Sequence, residues 1–102
     1  MIKFGIKSKD LGSAAQALGA ALHVNFLPHE SDFRGGDYYR AETPKGTLFL
    51  QKNYDRLDEE PFESAWPASD LILYFDGLDD QAWNPFTATV EALAQLGATR
   101  LG

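Results

Sequence analysis

The sequence predicts an α+β fold: a single mixed, mainly antiparallel β-sheet in the order β-α-β-β-β-β-α, with two helices packed mainly on one face. Three observations carry this. A strand-period run at Ile2, Phe4 and Ile6 is followed at once by an apolar stripe at helical spacing. Two extended runs flank Thr43-Pro44-Lys45-Gly46 and read as a hairpin. Leu71-Ile72-Leu73-Tyr74-Phe75 is continuously apolar, as in a central strand covered on both faces. With 102 residues and no linker-like stretch, the chain makes a single domain, 1–102.

In the first strand, Ile2, Phe4 and Ile6 alternate with Lys3, Gly5 and Lys7, so one side is buried. Ser8 or Asp10 then caps a helix, whose Leu11, Ala14, Ala15, Leu18, Ala21 and Leu22 form one core-facing stripe. Its alanines allow close approach to a sheet. Gly12 and Gly19 each weaken the helix by up to ~1 kcal/mol relative to alanine, which makes it dependent on tertiary packing. The helix crossover leaves the first strand free to take a parallel neighbour.

Residues 23–33 are extended but interrupted by Pro28. Central strands exclude proline, so this piece is an edge strand or a loop-like one. Gly35-Gly36 marks a turn into Asp37–Glu42, and Thr47–Lys52 closes the hairpin. Residues 54–69 are polar and acidic and contain Pro61 and Pro67; they form a long loop with room for one helical turn. Loops of this length are uncommon in compact domains and are often functional. Asp76-Gly77 ends the apolar strand. Beyond Pro85, Phe86, Val90, Leu93, Ala94 and Leu96 mark a C-terminal helix stopped by Gly97, with residues 98–102 left for a short extended tail.

Charge is distributed unevenly over these elements. Nine of the fifteen acidic residues lie between Asp55 and Asp80, where Arg56 is the one basic residue, so this window carries −8. The remaining eight basic and six acidic residues sum to +2, and the whole chain carries −6. Such a balance repels nucleic acid and anionic lipid, which argues against both as partners. No apolar run reaches the roughly 18 residues of a membrane span, and Lys7 interrupts the N-terminal run before it reaches signal-peptide length. The absence of cysteine excludes disulfides, thiolate metal sites and thiol nucleophiles. A cytoplasmic protein is the expectation.

Few residues offer catalytic chemistry. The serines lie in no nucleophile-elbow context, and Gly35-Gly36 lacks the strand-to-helix setting and lysine of a phosphate loop. His23 and His29 stand about 20 Å apart if the segment is extended, too far to share a metal. Asp76, Asp79 and Asp80 lack the further ligands of a calcium loop, and Asp79 or Asp80 fits a helix cap better. Tyr38 and Tyr39, adjacent on a strand, point to opposite faces, one towards the core. With Arg34 and Arg40 they suggest a base-stacking platform, which the negative charge of the chain disfavours. The chain is therefore read as a non-enzyme without cofactor or metal, with a small carboxylate-dependent hydrolase as a remote alternative.

The acidic loop is the strongest candidate site. Asp55, Asp58, Glu59, Glu60 and Glu63 form an electrostatic surface, and Phe62 and Trp66 lie in the same segment as aromatic anchors. Carboxylates steer an encounter with a basic partner while desolvated rings supply affinity. The competing reading is a solvated loop that only keeps the chain soluble.

In its size, its cysteine-free α/β pattern and this acid-aromatic segment, the chain resembles the small acidic immunity proteins with which bacteria neutralise a co-encoded toxin. Gly35-Gly36-Asp37-Tyr38-Tyr39-Arg40, followed by Leu50-Gln51-Lys52-Asn53-Tyr54-Asp55, is also similar to a recurring pattern of small bacterial proteins. The resemblance implies tight one-to-one binding to a basic toxin domain, often by plugging its active site, and transfers no catalytic residue. The alternative is a homodimeric structural or regulatory module that pairs an exposed edge near Glu30–Phe33 or Asp37–Thr43 with its twin.

Overall fold

A computed structural model describes residues 1–77 and 79–101; Leu78, within the sequence Asp76–Asp80, and Gly102, within the stretch expected to form a short extended tail, lie outside the described residues. The chain runs through β1 (Ile2–Ile6), α1 (Leu11–Leu22), β2 (Leu27–Ser31), β3 (Gly36–Thr43), β4 (Gly46–Lys52), β5 (Leu71–Asp76), α2 (Asn84–Ala92) and β6 (Thr99–Leu101). Short 3-10 turns stand at Asp32–Arg34, Asp80–Trp83 and Ala94–Leu96. The six strands form one sheet in the order β2-β3-β4-β5-β1-β6.

Every pairing in the sheet is antiparallel, including both made by β1. The parallel neighbour that a helix crossover would allow β1 is therefore not used: α1 leads to β2 at the far edge, and β1 lies between β5 and β6. Pro28 sits in β2 at that edge, where a missing N–H disrupts no inner ladder. By contrast, β3 is paired on both sides, by β2 and β4, so residues 37–43 are not the exposed edge expected of them. The 3-10 turn Asp32–Arg34, closed by Gly35, follows β2 and folds β3 back onto it, which is why this segment becomes an inner strand.

One face of the sheet carries the core. Ile2, Phe4 and Ile6 align with Leu71, Leu73 and Phe75, and these with Leu48 and Leu50. Leu11, Ala14, Ala15, Leu18 and Leu22 of α1 cover that face together with Val90 of α2 and the fully buried Trp83. Each large apolar side chain buried this way contributes roughly 1.5–3 kcal/mol. Asp10 caps α1, its carboxylate accepting from the Ser13 backbone N–H at 3.2 Å and the Ser13 hydroxyl at 2.7 Å. Those bonds hold the Asp10 carboxyl below its ordinary pKa. Asp79 likewise caps the 3-10 turn before α2, accepting from Gln81 N at 2.9 Å. The second helix is shorter than its apolar stripe suggests. It ends at Ala92, and a 3-10 turn, Ala94–Leu96, carries the buried Leu96 before Gly97 turns the chain at φ +54°.

The opposite face is polar and aromatic. Lys3 pairs with Tyr74, Tyr74 with Phe49, and Phe49 with Arg40, while Gly5, Ile72, Gln51, Tyr38 and His29 form the adjacent row. Part of it is roofed by residues 53–70. Ser69 stands directly over Gly5, where a Cβ would collide with its side chain, and Ile72 beside it is fully buried. Strand β5 is thus covered by helices on one face and by the acidic loop on the other. No described helix is long and apolar enough to cross a membrane.

Candidate functional site

The acidic loop is held to the sheet by a small set of bonds. At its ends, Asn53 N donates to Asp70 O at 3.0 Å and Asp70 N to Ile6 O at 3.1 Å. Within it, the buried Asn53 side chain works in both directions. Its Nδ2 donates to Trp66 O and Ser69 O at 3.1 Å each, and its Oδ1 accepts from Glu63 N at 2.8 Å. Consecutive turns, closed by Trp66 N to Glu63 O and by Ser69 N to Trp66 O, take the place of a helical turn.

Glu63 is the second clamp. Its Oε1 accepts from Tyr74 Oη at 2.9 Å, and its Oε2 lies 3.3 Å from Lys3 Nζ. Glu63 therefore faces the sheet, and its charge serves the fold as a tie between loop, β5 and β1. Burial of the phenol, reinforced by the bond to Glu63, pushes the Tyr74 pKa up. Phe62 and Trp66 are both partly buried. The Phe62 ring lies close to Gly35, so it serves partly to seat the loop on the Gly35-Gly36 turn.

The tip is different in character. Asp55 N donates to Glu60 O at 2.7 Å, closing a small bridged loop. Within it Asp55 Oδ1 accepts from Leu57 N at 2.9 Å and Asp58 N at 3.4 Å. Asp58, Glu59 and Glu60 are exposed, and among the described residues none of them joins an ion pair. Glu59 adopts a left-handed backbone at φ +56°, a conformation that costs a side-chain-bearing residue roughly 1–2 kcal/mol. Of the seven residues that the sequence singles out, the structure keeps Asp58, Glu59 and Glu60 on the open surface. Asp55 organises the tip, and Glu63, Phe62 and Trp66 are partly buried.

Sequence reasoning missed part of this surface. Leu57, at the tip, is 61% exposed, and Tyr54 is 47% exposed. Phe33, on the 3-10 turn before Gly35, is 82% exposed. The turn and the loop meet: Asp32 forms an ion pair with Arg56, and Gly36 lies against the Arg56 guanidinium. The available signal was an apolar residue in each of two acidic turns, Phe33 after Asp32 and Leu57 before Asp58.

Beside the loop, the uncovered part of the polar face is stitched together by arginines. Arg34 stacks on Phe49 with its guanidinium carbon 3.6 Å from the ring centroid, and donates to Gln51 Oε1 at 3.0 Å. Tyr38 lies on this face and Tyr39 packs against the core, as expected of neighbours on a strand. His29 stacks on Tyr38 with 5.5 Å between ring centroids. Among the described residues no group of three or more His, Asp or Glu side chains converges to hold a metal ion. Comparison with known proteins finds no matching family model, no similar curated protein and no similar solved structure.

Proposed function

We propose that this chain is an immunity or inhibitor protein that neutralises a basic bacterial toxin or enzyme domain by binding it, without catalysis of its own. One observation carries the reading. Three exposed carboxylates (Asp58, Glu59, Glu60), which join no ion pair among the described residues, follow the exposed Leu57 on a loop whose backbone is hydrogen-bonded at its base and across its tip. A loop that only solubilises needs neither a fixed backbone nor an apolar side chain at its apex. A binding loop gains from both, because ordering before the encounter removes an entropy cost from association. The carboxylates accelerate approach to a basic cleft and occupy positions that an anionic substrate would take. Action in the cytoplasm, beside the toxin as it is made, fits this role.

The test is capture from a lysate of the source organism with the full chain and with the Glu59→Lys/Glu60→Lys variant. The proposal predicts one stoichiometric basic protein retained by the parent chain and lost from the variant. Retention by both would remove the acidic loop from the interface.

A second reading rests on β2. This edge strand carries an exposed Leu27 and is paired on one side only, so two copies could join edge to edge into a continuous sheet. A concentration-independent dimer in light scattering, broken by Leu27→Lys, would favour a homodimeric module.

A further inference from the structure

We infer that Phe33 is the central anchor of the partner interface, seated in an apolar socket ringed by basic side chains on the bound protein; this rests on the proposal of a basic protein partner. Phe33 is 82% exposed, the highest value among the described large hydrophobics. Isolated exposed rings are ordinary on protein surfaces, but this one is presented by a clamped turn. The residue before it, Asp32, is tied to Arg56 of the acidic loop. The residue after it, Arg34, lies flat on Phe49 and is bonded to Gln51. Ser31 Oγ accepts from Phe33 N at 3.2 Å, and Gly35 closes the turn at φ +79°. Both neighbours of Phe33 thus point back onto the protein, and the ring is left projecting from a fixed backbone.

The surroundings define the partner's chemistry. Gly35 lies against the Tyr54 carbonyl, so the turn brings Phe33 to the end of the molecule that also carries the exposed Tyr54 and Leu57. Exposed Glu30 and Asp37 flank the turn, and Asp58, Glu59 and Glu60 lie beyond Leu57. An apolar projection within a negative field is complementary to an apolar recess with lysine and arginine at its rim. The ring then contributes to holding the complex while the acids govern its formation.

The experiment uses the full chain, with the basic protein captured from lysate as the probe, and compares Phe33→Asp and Phe33→Leu with Glu59→Lys/Glu60→Lys. Phe33 supports no core packing, so both Phe33 variants are expected to melt with the parent chain. The inference predicts that Phe33→Asp releases the captured protein at least ~30-fold faster, as loss of a hot-spot aromatic does. Phe33→Leu should fall between the two. If Phe33→Asp holds the protein as the parent does while the double lysine variant loses it, the anchor assignment fails and the inhibitor reading stands. If the parent chain retains no basic protein at all, both fail.

Discussion

Glu63 accepts a hydrogen bond from Tyr74 Oη at 2.9 Å, joining the middle of the acidic loop to the central strand of the sheet. A carboxylate that composition assigns to the binding surface is thus part of what supports that surface. Replacing Glu63 by alanine leaves a half-buried phenol and Lys3 without their shared acceptor, at a cost of about 1–3 kcal/mol. Urea denaturation of Glu63→Ala should show that loss, and an unchanged midpoint would mean that the tie contributes nothing.

The same pair implies a dependence on alkaline pH. The Tyr74 pKa is raised in the fold, by burial first and by Glu63 second, above the value near 10 of an unfolded tyrosine. Its contribution to stability is therefore complete below about pH 10 and is lost as pH rises beyond that value, because the unfolded chain releases the proton first. Tyr74→Phe should flatten the alkaline limb of a stability–pH curve. An identical limb in the variant would assign the effect to other groups.

Asn53→Ala tests the loop's base. It removes two donors to loop carbonyls and one acceptor from Glu63 N, which should cost about 2–3 kcal/mol. Amide exchange should quicken across residues 54–69 while β1 and β5 stay protected. Uniform loss of protection would show that the loop and the sheet unfold as one unit.

Gly35 is required by both conformation and space. It adopts φ +79°, and a Cβ there would stand 2.7 Å from the Tyr54 carbonyl oxygen. Gly35→Ala should destabilise the fold by upwards of ~1 kcal/mol and loosen the seat of the acidic loop. A neutral effect on the melting temperature would contradict the tight approach of turn and loop.

Glu59 offers a separation of stability from binding. Glycine adopts its left-handed backbone without strain, so Glu59→Gly should stabilise the isolated chain by about 0.5–1 kcal/mol. It should also weaken partner association, since one exposed carboxylate is lost. A variant that gains in neither stability nor dissociation constant would leave the strained position without a role in recognition.

Much of the fold was legible in the sequence because its signals are local. Asp10 beside the stripe of α1, Pro28 on an edge and the unbroken run Leu71–Phe75 each report a constraint that acts within a few residues. The direction of β1's pairing was not legible. It depends on where the chain returns after a long loop, which no period encodes. The site divides in the same way. Asp58, Glu59 and Glu60 were visible as charge, but the inward turn of Glu63 follows from Lys3 and Tyr74, 60 and 11 residues away. Phe33 escaped notice because exposure of a single ring is set by tertiary anchoring of its neighbours.

The most direct measurement is the association rate of the captured basic partner with the full chain across a series of salt concentrations. The account predicts a rate that falls steeply with salt for the parent chain and much less steeply for Glu59→Lys/Glu60→Lys, which should also associate more slowly at low salt. A rate indifferent to salt and to the charge reversal would contradict the claim that this loop directs recognition.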